Sequence, residues 1–126
     1  MTLMNKPGKT GISRLIAAVQ YSIRGLKAAW RHEEAFRTEL CLALLFFPAS
    51  FFVGETLSHR LILIMTCFLV VMAELTNSAI EAVVDRVSSD MHPLSGQAKD
   101  IGSALVFCTL MLFILVWSLS LWGYVH

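Results

Sequence analysis

Charged side chains are scarce in this sequence. Asp, Glu, Lys and Arg make up 15% of its 126 residues while hydrophobic residues reach 56%, against about a quarter charged in soluble domains. With a mean hydropathy of +0.68, so short a chain has too little interior to hide its apolar surface, which argues against a soluble monomer and for a membrane protein. Cysteine is limited to Cys41, Cys67 and Cys108, isolated in apolar stretches with no CxxC spacing, so neither a disulfide framework nor a thiolate metal site is expected. A phosphate-binding glycine loop is missing too. Gly8-Lys9-Thr10 looks like the end of one, but the earlier glycine of that motif would fall on Leu3 and no strand precedes it. No uninterrupted apolar run follows the basic start, because Arg14, Arg24, Lys27 and Arg31 break in; the N-terminus is therefore expected to be retained rather than cleaved as a signal peptide. There is no internal repeat and no low-complexity stretch.

What is present is organised by hydropathy. Residues 1–11 are expected to form a flexible tail, and residues 12–126 a single all-α membrane domain with a surface helix at about 12–33 and spans at about 35–53, 60–87 and 100–124. Ile12, Leu15, Ile16, Val19, Ile23, Leu26 and Trp30 recur at helical spacing beside Arg14, Arg24, Lys27 and Arg31. That pattern suits a basic amphipathic helix on an anionic cytoplasmic leaflet better than the core of a bundle. Leu40 to Gly54 is only 15 residues and carries Pro48, so it spans only if Ala35 to Glu39 continue the same helix, since a bilayer core takes about 20 residues. Leu61 to Val84 is long enough but carries Glu74 and Glu81; Ile101 to Val125 is uncharged. Between spans lie a short turn, Gly54 to Arg60, and an expected polar loop, Asp85 to Asp100. Placing the N-terminus inside puts Lys6, Lys9, Arg14, Arg24, Lys27, Arg31, Arg37, Arg86 and Lys99 on the cytoplasmic side and Arg60 alone outside, the distribution that the positive-inside rule favours. The C-terminus is then outside, where Trp117, Trp122 and Tyr124 suit an interfacial belt.

The most informative residues are Glu74, Asn77, Glu81 and Asp85, which fall within an arc of roughly 80° at 100° per residue. A carboxylate within hydrocarbon costs at least ~2.5 kcal/mol and is kept only where it faces protein, water or a ligand. With the second span running inward, Glu74 sits about 9 Å below the interface, Glu81 at it and Asp85 in water, at ~1.5 Å per residue. A buried, metal-free carboxyl suits proton abstraction from a hydroxyl, and one at the water boundary suits Mg²⁺ carried on a nucleotide. Glu33, Glu34 and Arg37 lie at the same level, with Glu33 and Arg37 at ion-pair spacing. Asp90, His92, Lys99 and Asp100 bring further polar groups there.

Glu74-x-x-Asn77-Ser78-Ala79-Ile80-Glu81-x-x-Val84-Asp85, Ser95-Gly96-x-Ala98-Lys99-Asp100-x-Gly102-Ser103 and Ala28-Ala29-Trp30-x-x-Glu33-x-Ala35-Phe36-Arg37 together resemble the prokaryotic diacylglycerol kinase family, small trimeric integral-membrane lipid kinases. The resemblance runs from about Gly11 onwards. It implies a homotrimeric bundle in the bacterial inner membrane that phosphorylates the hydroxyl of diacylglycerol with ATP and Mg²⁺ to give phosphatidic acid. By position it implies Glu74 as general base and Glu33 and Glu81 as ligands of the metal on ATP. Arg14, Tyr21, Asp90, Met91, His92, Lys99 and Asp100 match positions lining the nucleotide. The lipid side would comprise Arg14, Ala18, Val19, Gln20, Tyr21, Ser22, Ile23, Lys27, Ala28, Ala29, Trp30, Ala35, Phe36, Arg37, Thr38, Glu39, Glu74 and Ser103, with Trp117, Ser118, Leu119, Ser120, Leu121 and Trp122. Asn77 and Asp85 resemble supporting polar residues.

Thr76 stands where the family usually has an aliphatic residue, and Met91 and Pro93 flank His92 where aromatic and acidic residues are common. Other readings remain at this point: undecaprenol as the lipid acceptor within the same family, a small proton-coupled transporter using Glu74, and a purely structural membrane subunit. No nucleic-acid partner is expected.

Overall fold

The structure, a computed structural model, describes residues 10–87 and 91–126. Four helices follow one another: α1 (Gly11–His32), α2 (Glu34–Val53), α3 (Leu57–Val87) and α4 (Pro93–Val125). Among the described residues there is no strand. Residues 1–9 of the expected tail, and Asp90, lie outside the described residues. α2, α3 and α4 are each long and apolar enough to cross a membrane, and hydropathy rises in that order. The first span does include Ala35 to Glu39, and Pro48 sits within α2 without ending it.

Two helix starts come earlier than hydropathy alone suggests. α4 begins at Pro93 rather than about 100, and Lys99 and Asp100 are therefore helical rather than in a loop, while Asp85 belongs to α3. The cause is local: the His92 ring accepts a hydrogen bond from the Leu94 N–H at 3.1 Å, and Pro93 needs no donor at the first helical position. α3 likewise starts at Leu57 rather than about 60, because the Thr56 hydroxyl accepts from the His59 N–H at 3.1 Å and the His59 ring accepts from the Glu55 N–H at 3.2 Å, a reciprocal cap of the capping-box kind.

α3 is the central helix, packed against both α4 and α2. At the end near the α2–α3 turn, Val53, Leu63, Cys67 and Trp117 form a buried cluster with Phe46 and Phe113 against it. The Trp117 indole donates to the Thr66 hydroxyl at 3.0 Å, and the Phe46 ring meets Trp117 edge-on at 4.8 Å between centroids. The turn itself is tight: a Cβ on Gly54 would run into the Arg60 side chain and approach the Ser50 carbonyl to 2.8 Å, which only glycine avoids.

α1 is different. Its seven stripe residues are between 46% and 75% exposed, and only Ala17 and Ala29 of this helix are buried. The stripe therefore does not pack into the bundle, as the surface-helix reading expects. A single extended residue, Glu33, separates α1 from α2. Its N–H closes α1 on the Ala29 carbonyl at 2.9 Å, and its own carbonyl accepts from the Arg37 N–H at 3.2 Å to open α2. The Arg37 guanidinium reaches back across this joint to the carbonyls of Trp30 (2.7 Å) and Arg31 (3.3 Å), satisfying the end of α1. It does not form the ion pair with Glu33 that their spacing suggests, since helix-end carbonyls left without donors compete for it.

Candidate active site

The site is built on one face of α3. Glu74 is 5% exposed and Asn77 8%, Glu81 is half-buried and Asp85 exposed, so the four polar residues run from the protein interior to its end in graded steps, as their shared arc expects. Glu74 does not face acyl tails. On α2, Glu39 stands level with it across the antiparallel hairpin of α2 and α3.

Asn77 packs against α4 where Gly102 has no side chain; a Cβ there would collide with Asn77 Oδ1. That oxygen is buried and has no donor, and the Ser78 hydroxyl is buried and unpartnered as well. At the exposed end, Lys99 Nζ of α4 pairs with Asp85 Oδ1 at 2.7 Å, the sole ion pair among the described residues.

Beside this face, α1 and the joint pack along the neighbouring side of α3. Ser22, Gly25, Ala29, His32 and Glu33 on one side and Leu75, Ser78, Ala79 and Ala82 on the other enclose an open groove of about 690 Å³. Glu33 thus comes to the level of α3 residues 75–82, the turns that also carry Glu81. A second hollow of about 550 Å³, lined by Ile23, Leu26, Lys27, Trp30, Arg31 and Arg37, gathers several of the lipid-side residues under a basic rim. Among the described residues no three His, Cys, Asp or Glu side chains converge into a metal cage.

The remaining predicted residues are distributed as follows. Arg14, Ala18, Val19, Gln20, Ser22, Ile23, Lys27, Ala28 and Trp30 are exposed along α1, and Tyr21 is half-buried with Arg24 over its ring at 5.5 Å. Ala35 and Thr38 are exposed, whereas Phe36 is buried. Met91, His92, Asp100 and Ser103 are exposed at the start of α4. Trp117 to Trp122 are not brought to Glu74. Trp117 is committed to Thr66, and the Ser120 hydroxyl meets the His59 ring at 2.8 Å; His59 stands 15 residues before Glu74 on α3, or about 22 Å along the helix.

The position of Glu39 level with Glu74 is the feature sequence reading missed, since the resemblance gives Glu39 only as a lipid-side position. A signal existed: Glu39 is 17 residues before Thr56 and Glu74 is 17 residues after Leu57, equidistant from the hairpin turn and therefore level across two antiparallel helices.

Comparison with known proteins places this arrangement in a family. The family model for prokaryotic diacylglycerol kinase matches residues 20–121. The chain is 47% identical over 108 residues to a diacylglycerol kinase of Haemophilus influenzae, covering 86% of this chain and 92% of that protein. It is 44% identical over 115 residues to one from Escherichia coli K12, covering 91% and 94%, and 40% identical over 111 residues to one from Helicobacter pylori 26695, covering 88% and 87%. The protein whose α3 carries this graded row of carboxylates belongs to the prokaryotic diacylglycerol kinase family.

Proposed function

We propose that this protein transfers the γ-phosphoryl group of ATP to the free hydroxyl of diacylglycerol, giving phosphatidic acid, at the cytoplasmic face of a bacterial inner membrane. The observation that carries the reading is the gradient along α3, from a Glu74 that is 5% exposed to an Asp85 in the open. A greasy alcohol and a water-soluble phosphate donor meet only where reactive groups bridge those two environments. The relatives' shared name supports diacylglycerol as the acceptor, and family membership argues against the transporter reading.

Glu74 is the general base. It takes the proton as the lipid hydroxyl oxygen attacks phosphorus and ADP departs. Glu33 and Glu81 hold Mg²⁺. Their fit rests on donor chemistry: both are hard oxygen ligands, Glu33 lining the groove and Glu81 half-buried on the α3 turns that form its wall, and Mg²⁺ binds through one or two carboxylates plus substrate phosphates rather than in an all-protein cage. When bound, Mg²⁺ would offset charge on the transferring phosphates. Lys99, Asp100, His92, Met91 and Asp90, with Arg14 and Tyr21, orient the nucleotide, and Asn77 and Asp85 support the stripe. The apolar stripe of α1 and the hollow around Trp30 receive the lipid. The N-terminus is cytoplasmic and the C-terminus outside. A homotrimer with sites shared between protomers would shield polar side chains that three spans alone leave open.

The deciding experiment supplies purified protein in micelles with Mg-ATP and either diacylglycerol or undecaprenol, and follows ADP release. Turnover that depends on diacylglycerol is expected. Turnover with undecaprenol alone would reassign the acceptor, and no lipid-dependent turnover from a folded protein would remove the kinase reading.

A further inference from the structure

Ser78 stands at a seam of α3. With Leu75, Ala79 and Ala82 it lines the groove that α1 and Glu33 close on the other side. At 100° per residue it is also only about 40° round the helix from Glu74 and about 60° from Glu81, roughly 6 Å along the axis beyond the first and 4.5 Å short of the second. Its Oγ is shut off from water and has no hydrogen-bond partner. Other hydroxyls withdrawn into the helices are occupied. Ser50, Thr66 and Thr109 each donate to the carbonyl three residues back, at 2.6, 2.6 and 2.8 Å, and Ser120 meets His59. A serine in mid-helix has the same recourse, and a buried hydroxyl is costly to leave unpaired. The groove offers an anion few other donors. Ser22 gives its proton to the Ala18 carbonyl at 2.9 Å, His32 is exposed, and no lysine or arginine lines the wall. The carboxylates of α3 only accept.

We propose that Ser78 is a catalytic donor for phosphoryl transfer, its hydroxyl giving a hydrogen bond to an equatorial oxygen of the γ-phosphoryl group as that group passes from ADP to the lipid. The proposal rests on Glu74 being the base and on Glu33 and Glu81 holding the nucleotide's metal, because the transferring group then crosses the interval in which Ser78 stands. A serine hydroxyl turns among three staggered positions about a single bond, so it reaches from the wall into the groove without movement of α3. In the step itself the lipid oxygen bonds to phosphorus, the bond from phosphorus to the ADP oxygen breaks, and the lipid proton goes to Glu74. Ser78 keeps its own proton throughout. Charge is spread over the three equatorial oxygens at that moment, and a donor held dry until then is worth more than the same donor in water.

Ser78→Ala and Ser78→Thr, made in the full chain and studied in micelles, test this through kcat, KM for diacylglycerol and Mg-ATP, and the thermal midpoint. Ser78→Ala is expected to lower kcat by about 10²-fold, as for the loss of one such donor, with both KM values within about twofold of the parent. Its thermal midpoint should equal or exceed the parent's, since an unpaired hydroxyl has been removed. Ser78→Thr, which keeps the donor, should recover kcat to within about tenfold of the parent. An unchanged kcat in Ser78→Ala, a fall in kcat matched by a fall in midpoint, or a loss expressed only through KM for diacylglycerol overturns the proposal. A second readout tests contact with the transferring group. Sulfur accepts hydrogen bonds poorly, so the preference for ATP over its γ-thio analogue should shrink in Ser78→Ala, and an unaltered preference overturns the contact. Turnover surviving in Glu74→Gln would instead sink the reading of the site on which the proposal rests.

Discussion

Glu74 and Glu81 are seven residues apart on one helix, about 10 Å, and their different burial should separate their roles in kinetics. Glu74→Gln is expected to lower kcat by about 10²–10⁴-fold, the range for losing a general base, with nucleotide affinity retained. Glu81→Gln and Glu33→Gln are expected to raise KM for Mg-ATP by about tenfold, roughly 1.4 kcal/mol of binding. Titrating Mg-ATP against each variant checks both, and the reverse pattern would exchange the assignments. Gly102 makes a second claim at this scale. Because a methyl group there would strike Asn77 Oδ1, Gly102→Ala should push the carboxamide aside and cost about 1–3 kcal/mol as overpacking. Reversible unfolding in mixed micelles would measure it, and a stability equal to the parent's would mean that Asn77 gives way freely.

Among the helices, composition announced what side-chain detail then adjusted. The three spans and the amphipathic α1 were legible because each depends on many residues at a fixed period. The starts of α3 and α4 were not, because each is decided by one or two hydrogen bonds, from His59 to Thr56 and from Leu94 to His92. The correction matters for Lys99. On a helix it projects from a rigid element and meets Asp85 at 2.7 Å, but both partners are solvent-exposed and such pairs add little to stability. Asp85→Asn should therefore leave the thermal midpoint essentially unchanged. Lys99→Ala should leave it unchanged too while weakening Mg-ATP binding, because it removes one of the cations proposed to hold the nucleotide. Thermal unfolding and nucleotide titration of both variants test this; a matched fall in stability would make the pair structural.

For the molecule as a whole, the carboxylate stripe could be read from one helix, whereas the place of Glu39 level with Glu74 needs the register between two. The lipid-side assignment of Trp117 to Trp122 came from resemblance alone, and within one chain that stretch packs along α3 between His59 and Thr66, toward the α2–α3 turn from Glu74. Sharing of sites between protomers makes a separate prediction. Glu74→Gln and Glu33→Gln proteins, each inactive or impaired alone, should regain measurable activity when unfolded and refolded together, because some mixed trimers then carry one intact combination of groups. Activity no greater than the sum of the separate proteins would confine every site to a single chain. The joint at Glu33 carries the last consequence. If α1 lies on the bilayer and α2 crosses it, the two meet at one residue that is also the proposed ligand of the donor's metal, so stretching, thinning or bending of the lipid sheet would move that carboxylate. Turnover would thus be tuned by the mechanical state of the very membrane whose composition the enzyme alters.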